Sequence, residues 1–171
     1  MSAVPTGAFA NNTTSFFGPP PAFGSFSSSQ TQVVNPAFPA VAPLPLVFNT
    51  VDITPFGVSC AVPSSNIVIG VAGTYRVLAS LQCDKTSINP GDLEMWIAVN
   101  GTAVPRSATR IQINQNQETV MTVEWMTPLN KNDAVSINLA SAAGGLQALA
   151  APAAAPVPAI PSIITTLQRI A

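Results

Sequence analysis

The sequence has no histidine and very few charged residues. Only six of its 171 residues are Lys or Arg and seven are Asp or Glu, which is 8% where an average soluble domain has about a quarter. Without histidine the chain lacks the commonest general base and the commonest metal ligand. A formal net charge of -1 provides no basic field for nucleic acid. We therefore expect neither an enzyme nor a nucleic-acid-binding protein.

The sequence also lacks a targeting segment and a long uninterrupted apolar run. Residues 1–10 show no basic start followed by an apolar stretch, so we expect no cleaved signal peptide. Residues 134–168 carry no charge, but four prolines interrupt this stretch. We therefore expect no membrane-spanning helix and no membrane insertion. Two cysteines, Cys60 and Cys83, could pair, but without a secretory route we favour two reduced thiols.

The first part of the chain is an uncharged segment rich in proline and phenylalanine. Residues 1–51 contain no Asp, Glu, Lys or Arg but hold eight of the 17 prolines. Such frequent proline excludes a regular helix or a central strand. A free disordered tail would carry more charge and fewer aromatic residues. We predict that residues 1–45 form an extended, largely irregular arm that anchors the protein to a partner.

Six of the eight phenylalanines lie in this arm. Each phenylalanine buried in a partner's groove would contribute about 1.5–3 kcal/mol. The predicted interface residues are Phe9, Phe16, Phe17, Phe23, Phe26 and Phe38.

From residue 46 the pattern changes to short β-branched runs separated by turn residues, which is typical of an all-β sandwich or barrel. The predicted strands are Leu46–Ile53, Asn66–Val71, Thr74–Gln82, Leu93–Val99, Thr102–Ile113, Thr119–Met126, Ala134–Ala140 and Ser162–Ile170. The pair Asn100-Gly101 marks a tight hairpin, and an Ala/Pro-rich loop occupies residues 141–161. Eight strands with such connections predict an antiparallel jelly-roll sandwich over residues 46–171.

Short motifs in this region resemble the C1q/TNF-like domain. Val71-Ala72-Gly73-Thr74-Tyr75-Arg76-Val77 is similar to a glycine-threonine-tyrosine strand of that family. Trp96–Val104, with Asn100-Gly101 at its centre, is similar to the family's hairpin. Met126–Ile137 resembles its glycine-aspartate turn, with Asn132 in the glycine position, and Ile163–Ile170 resembles its last strand. The resemblance covers residues 46–171 and none of the arm.

The resemblance implies a ten-strand jelly roll that assembles as a homotrimer. Family members include cytokine and complement heads, spore-surface filaments and domains on virus particles. With the uncharged arm and no catalytic groups, we expect a structural virion protein: a minor capsid, cement or vertex-associated protein whose partners are other capsid or shell proteins. The alternative is a receptor-binding or adhesive head of a surface fibre or spore filament.

Candidate catalytic groups are sparse. A serine nucleophile would need a lysine, and Lys85 and Lys131 both lie in predicted turns, where we expect solvated side chains. Several carboxylates are scattered singly and are interpreted as ordinary surface: Asp52, Asp84, Asp92, Glu94, Glu118, Glu124 and Asp133. No catalytic residue or cofactor is predicted.

Three further groups have two possible interpretations. Asp84, Asp92 and Glu94 flank one loop and could hold Ca²⁺, although a plain acidic turn is favoured and no metal is predicted. Trp96 is predicted to face outward, either as a subunit-interface anchor, which is favoured, or as a ligand platform. Arg106 and Arg110 share one face of a predicted strand and could bind an anion or form an interfacial ion pair with Glu118 or Glu124.

Overall fold

A computed structural model describes residues 21–36 and 38–171, and these residues form two antiparallel β-sheets packed into a sandwich. Fourteen strands and no helix occur in the described part of the chain. Consequently, no described helix is long and apolar enough to cross a membrane. The first and second sheets each contain seven strands.

The strands of the first sheet are β1 (Phe23–Ser28), β2 (Gln32–Val33), β4 (Thr50–Phe56), β7 (Gly73–Lys85), β11 (Glu118–Leu129), β13 (Leu146–Ala148) and β14 (Ile163–Arg169). The strands of the second sheet are β3 (Leu44–Pro45), β5 (Val58–Ser59), β6 (Ile67–Ile69), β8 (Gly91–Val99), β9 (Thr102–Ala103), β10 (Thr109–Ile113) and β12 (Ala134–Ala140).

The strand order confirms the predicted jelly roll. Eight principal strands follow one another along the chain: β1, β6, β7, β8, β10, β11, β12 and β14. In the first sheet β1, β14, β7 and β11 lie side by side in this order, and they are the first, eighth, third and sixth principal strands. In the second sheet β6, β12, β8 and β10 lie side by side, and they are the second, seventh, fourth and fifth principal strands. This interleaving of the two sheets is the arrangement of a double Greek key.

The core lies between the sheets and follows the predicted alternation of side chains. In β7 the residues Tyr75, Val77, Ala79 and Leu81 are completely buried, as predicted from their period of two. The same pattern buries the inward residues of β8 and β12, which are Leu93, Met95, Ile97, Val135, Ile137 and Leu139. Because each sheet has one apolar inner face, the two inner faces pack on each other, and this removes their apolar side chains from water.

Two turns have the backbone conformation expected from their residues. Asn100 and Gly101 have φ values of 53° and 77°, as a type I′ hairpin requires. Asn132, which stands in the glycine position of the resembling motif, has φ 72°; asparagine tolerates this left-handed conformation. Beside it, Asp133 accepts hydrogen bonds from Asn130 N–H at 2.7 Å and Asn100 Nδ2 at 2.8 Å. These bonds, the Asn130 backbone bond first, lower the pKa of Asp133.

The folded domain begins earlier than the sequence predicts. β1 lies inside the first sheet, hydrogen-bonded to β14 on one side and β4 on the other. The predicted boundary between residues 45 and 46 therefore falls within the sandwich, and the part of the predicted arm at residues 23–28 is a strand of it. Residues 1–20 of the predicted arm lie outside the described residues.

Two predicted strands are each divided in the structure. Where one strand was expected over 46–53, β3 ends at Pro45 and β4 begins at Thr50, and the two belong to different sheets. The expected strand over 102–113 is split into β9 and β10 by residues 104–108. Pro105 cannot donate to a ladder, and Arg106 has φ 64°, a conformation outside the β region.

Candidate functional site

The outer surface of the first sheet, here called the open face, consists of the outward residues of its five main strands. Its residues are Glu118, Val120, Thr122, Glu124, Met126, Pro128, Thr74, Arg76, Leu78, Ser80, Gln82, Ile164, Thr166, Gln168, Phe23, Ser25, Ser27, Thr50, Asp52, Ile53 and Phe56. The strand register aligns them in rows, such as Thr122–Ser80–Ile164–Ser27 and Met126–Arg76–Gln168–Phe23–Phe56.

The open face carries six exposed large apolar side chains and four charged ones. Its central charges are Arg76 and Glu124, and these neutralise each other because Arg76 Nη2 lies 2.6 Å from Glu124 Oε2. Towards one edge, Asp52 accepts a hydrogen bond of 2.7 Å from Ser27 Oγ. Six large apolar side chains of this face are exposed, namely Phe23, Ile53, Phe56, Val120, Met126 and Ile164. Exposed large apolar side chains gathered on one face are typical of a surface that binds another protein.

The outer surface of the second sheet is largely covered by the chain itself. Ala98, Ser136, Asn138 and Ala140 alternate with core residues and so point outward, yet each is less than 10% exposed. Phe38 N–H donates to Ser141 O at 3.1 Å, which fixes the segment before β3 against the end of β12. On the open face, Ser25 and Ser27 are also less than 10% exposed, but six large apolar side chains remain exposed there, so the two outer surfaces are unequal.

An aromatic pocket remains on this covered side. It has a volume of about 390 Å³ and is lined by Phe38, Glu94, Trp96 and residues 103–108. The Phe38 and Trp96 rings are tilted by 46° with centroids 6.2 Å apart. Trp96 was predicted to face outward, and it does so, half-buried on the outer side of β8. What the sequence could not indicate is that the two aromatic residues, 58 positions apart, form one site.

The two tryptophans have different environments. Trp125 is 8% exposed, and its Nε1–H donates to Ser107 O at 2.7 Å. Among the described residues, Trp96 Nε1–H has no acceptor. Trp125 is therefore a core residue that fixes the 104–108 segment, whereas Trp96 keeps both a ring face and a donor for a ligand.

The two arginines of the predicted strand do not act together. Arg110 donates from Nε to Glu94 Oε1 at 2.9 Å, also contacts Glu94 through Nη2, and lies 3.8 Å from Asp92. The hydrogen bond from Arg110 to Glu94 raises the pKa of Arg110. Within the chain, the partner of Arg110 is Glu94, because β10 pairs with β8, and Glu124 pairs with Arg76; an interfacial ion pair with Glu118 or Glu124 stays a prediction. Arg106 lines the pocket and has no ion-pair partner among the described residues.

The three calcium candidates are not brought together. Asp92 and Glu94 contact Arg110, while Asp84 Oδ2 accepts from Gln147 Nε2 at 2.7 Å. Within residues 21–36 and 38–171 there is no group of three potential ligands that could hold a metal ion.

Lys85 is not the solvated turn residue that the sequence predicted. It is the last residue of β7 and is completely buried. Its Nζ donates to Gly144 O at 2.6 Å and to Ser87 Oγ, while Ser87 Oγ donates to Gly144 O at 2.8 Å. Both groups thus donate to one carbonyl, an arrangement that fixes the turn before β13 to the loop after β7.

The cysteines are free thiols. Cys83 is buried, and burial raises its pKa to about 12. Cys60 is half-buried, and burial raises its pKa as well. Neither has the low pKa of a reactive cysteine.

The predicted arm phenylalanines fall into separate groups. Phe9, Phe16 and Phe17 lie outside the described residues. Phe23 is 39% exposed on the open face. Phe26 is completely buried against Phe48 in its own core, with ring centroids 6.4 Å apart, so it cannot contact a partner. Phe38 lies against Trp96 in the pocket.

The fold and its surfaces define a class: a jelly-roll sandwich with exposed apolar residues on one outer face and an aromatic pocket on the opposite side. The sequence matches no protein-family model and no curated protein. The resemblance to the C1q/TNF-like domain therefore stays a prediction.

Proposed function

We propose that this chain is a structural virion protein, of the minor capsid, cement or vertex-associated kind, that self-associates through the open face and is fastened into a shell by its N-terminal arm. The observation that carries this proposal is the inequality of the two outer surfaces. The chain covers most of one sheet with its own segments and leaves six large apolar residues exposed on the other, beside the Arg76–Glu124 ion pair.

The size of the open face indicates why an arm is useful. The five strands have 6, 7, 13, 12 and 7 residues, and at about 3.4 Å per residue and a spacing of about 4.8 Å they give a footprint of roughly 730 Å². A stable interface buries about 800 Å² per partner. The described chain begins at Pro21, two residues before Phe23 of the open face. Residues 1–20 precede this point in the sequence, and an arm formed by them would add contact area to the interface.

The proposed assembly is a homotrimer, as the C1q/TNF-like resemblance implies, with other capsid or shell proteins as further partners and the virion as its location. No catalytic chemistry, cofactor or nucleic acid is part of the proposal.

Self-association is tested by placing a charge on the open face. Ile164→Lys introduces an ammonium into the centre of the face, where Ile164 is 41% exposed. Burying that charge in an interface without a partner costs several kcal/mol, so we expect the oligomer to dissociate in sedimentation velocity. The matched control is Val157→Lys, on the loop at 141–161, where Val157 is 53% exposed; this variant should keep the wild-type mass. A monomeric wild-type chain, or equal behaviour of both variants, would contradict the proposal.

The arm is tested separately by deleting residues 1–20, which leaves all fourteen strands in place. A cut at residue 45 is unsuitable because it removes β1. We expect the shortened chain to lose its incorporation into assembled particles. Unchanged incorporation would remove the anchoring role, and binding of the isolated chain to host cells or glycans would favour the alternative of an adhesive head.

A further inference from the structure

The aromatic pocket already binds one phenylalanine of the uncharged N-terminal segment. Phe38 comes from the same charge-free stretch as Phe9, Phe16 and Phe17, and its ring contacts Trp96. The pocket is open to solvent, and its volume of about 390 Å³ leaves room beside the Phe38 ring for another ring. The lining beyond the two aromatic residues is mainly Ala103, Val104, Pro105 and Ala108.

We propose that this pocket receives Phe16 or Phe17 of a second copy of the chain. This inference rests on the proposed function, because it identifies where the arm of one subunit binds its neighbour.

The charges around the pocket suit an aromatic group on an uncharged segment. Glu94 lines the pocket but is neutralised by Arg110. Arg106 is exposed on the pocket lining and has no ion-pair partner among the described residues, so its guanidinium is available to a ring face in a cation–π contact. Trp96 Nε1–H is available to a backbone carbonyl of the incoming segment. A segment without any charge meets no repulsion from either sign.

The reach of the arm favours a second copy over the same chain. Phe17 and Phe16 precede Pro21 by four and five residues, a reach of about 14–17 Å at about 3.4 Å per residue. Pro21 adjoins β1 in the first sheet, and the pocket lies on the outer side of the second. β5 packs against β1, and β6 and β12 lie between β5 and the pocket strand β8. A path around the sandwich therefore crosses about 10 Å between the sheets and three strand spacings of about 4.8 Å, about 24 Å before the outer side-chain layer is added. This path is longer than the reach of either phenylalanine even with about 6 Å for its own side chain, so a neighbouring subunit is the favoured donor.

Disulfide trapping in full-length protein tests the contact. In a Cys60→Ser background, one chain carries Ser15→Cys, which leaves both phenylalanines in place, and a second chain carries Ala108→Cys at the pocket. Mixed and mildly oxidised, they should give a cross-linked heterodimer. The matched control replaces the second chain by Ala154→Cys, another exposed alanine, and should give none. Adding Phe16→Ser and Phe17→Ser to the first chain should abolish the heterodimer, with a thermal melt to show that the variant is folded.

The outcomes separate this inference from the proposed function. An absent heterodimer, or equal cross-linking to Ala154→Cys, overturns the pocket assignment even where sedimentation shows an intact oligomer. A chain that carries both Ser15→Cys and Ala108→Cys and closes an internal disulfide without gaining mass overturns the second copy as occupant. Monomeric wild-type protein in sedimentation overturns the proposed function itself.

Discussion

Phe23 and Phe26 lie three residues apart in one strand, and their substitution by alanine should have different consequences. Phe26 is completely buried and its ring packs against Phe48, tilted by 57°. Removing a buried phenylalanine side chain costs about 3–5 kcal/mol, a large share of the roughly 5–15 kcal/mol that stabilises a typical domain. Because β1 joins β14 to β4, loosening it also exposes both neighbours.

The measurement is equilibrium unfolding in urea, followed by the fluorescence of the two tryptophans. Phe26→Ala should lower the free energy of unfolding by about 3–5 kcal/mol. Phe23→Ala is the matched control: its side chain is 39% exposed on the open face, so we expect a loss below about 1 kcal/mol together with weaker self-association. If both variants lose the same small amount, β1 is not an integral strand, and the domain begins where the sequence predicted.

The remaining predictions concern Thr165 and Cys83, two buried side chains that have no part in the proposed function. Thr165 Oγ1 is buried and has no hydrogen-bond partner among the described residues, so Thr165→Val, of similar shape, should raise the free energy of unfolding by about 1–3 kcal/mol; a lower melting temperature would show that the hydroxyl has a bonding role. Cys83 has a pKa raised to about 12, so it should resist alkylation by iodoacetamide at pH 8.5 while the half-buried Cys60 reacts, as mass spectrometry of the native protein can show. Because the folded-state pKa of Cys83 is above the ordinary value of 9.0, its contribution to stability is complete below about pH 9 and is lost as the pH rises towards 12. Cys83→Ala should reduce that loss, and an unchanged pH profile would argue against a buried thiol.

Local patterns were sufficient to predict the parts of the fold that repeat over a few residues. The period of two in Tyr75–Leu81 identified the inner face of β7, and Asn100-Gly101 identified the hairpin after β8. Both features depend on steric properties of neighbouring residues, so no distant partner is needed to recognise them. The same reasoning predicted that Trp96 faces outward from the second sheet.

β1 could not be recognised in this way. Its sequence, Phe-Gly-Ser-Phe-Ser-Ser, has no apolar alternation, although five of its six residues are buried in the folded chain. Its hydrogen bonds go to β14, about 140 residues later. Likewise, the burial of Lys85 depends on the carbonyl of Gly144, 59 positions away, and the partner of Arg110 depends on which strand lies beside β10.

The sequence by itself determined the all-β class, the inward faces of its long strands, the scarcity of catalytic groups and the uncharged character of the N-terminal segment, because each is a property of composition or of short spacing. Only the tertiary structure decided which phenylalanines of that segment are buried in the core, that Phe38 and Trp96 form one pocket, and that one sheet is covered while the other is open. Those features depend on contacts between residues far apart in the chain, and such contacts exist only once the two sheets have packed.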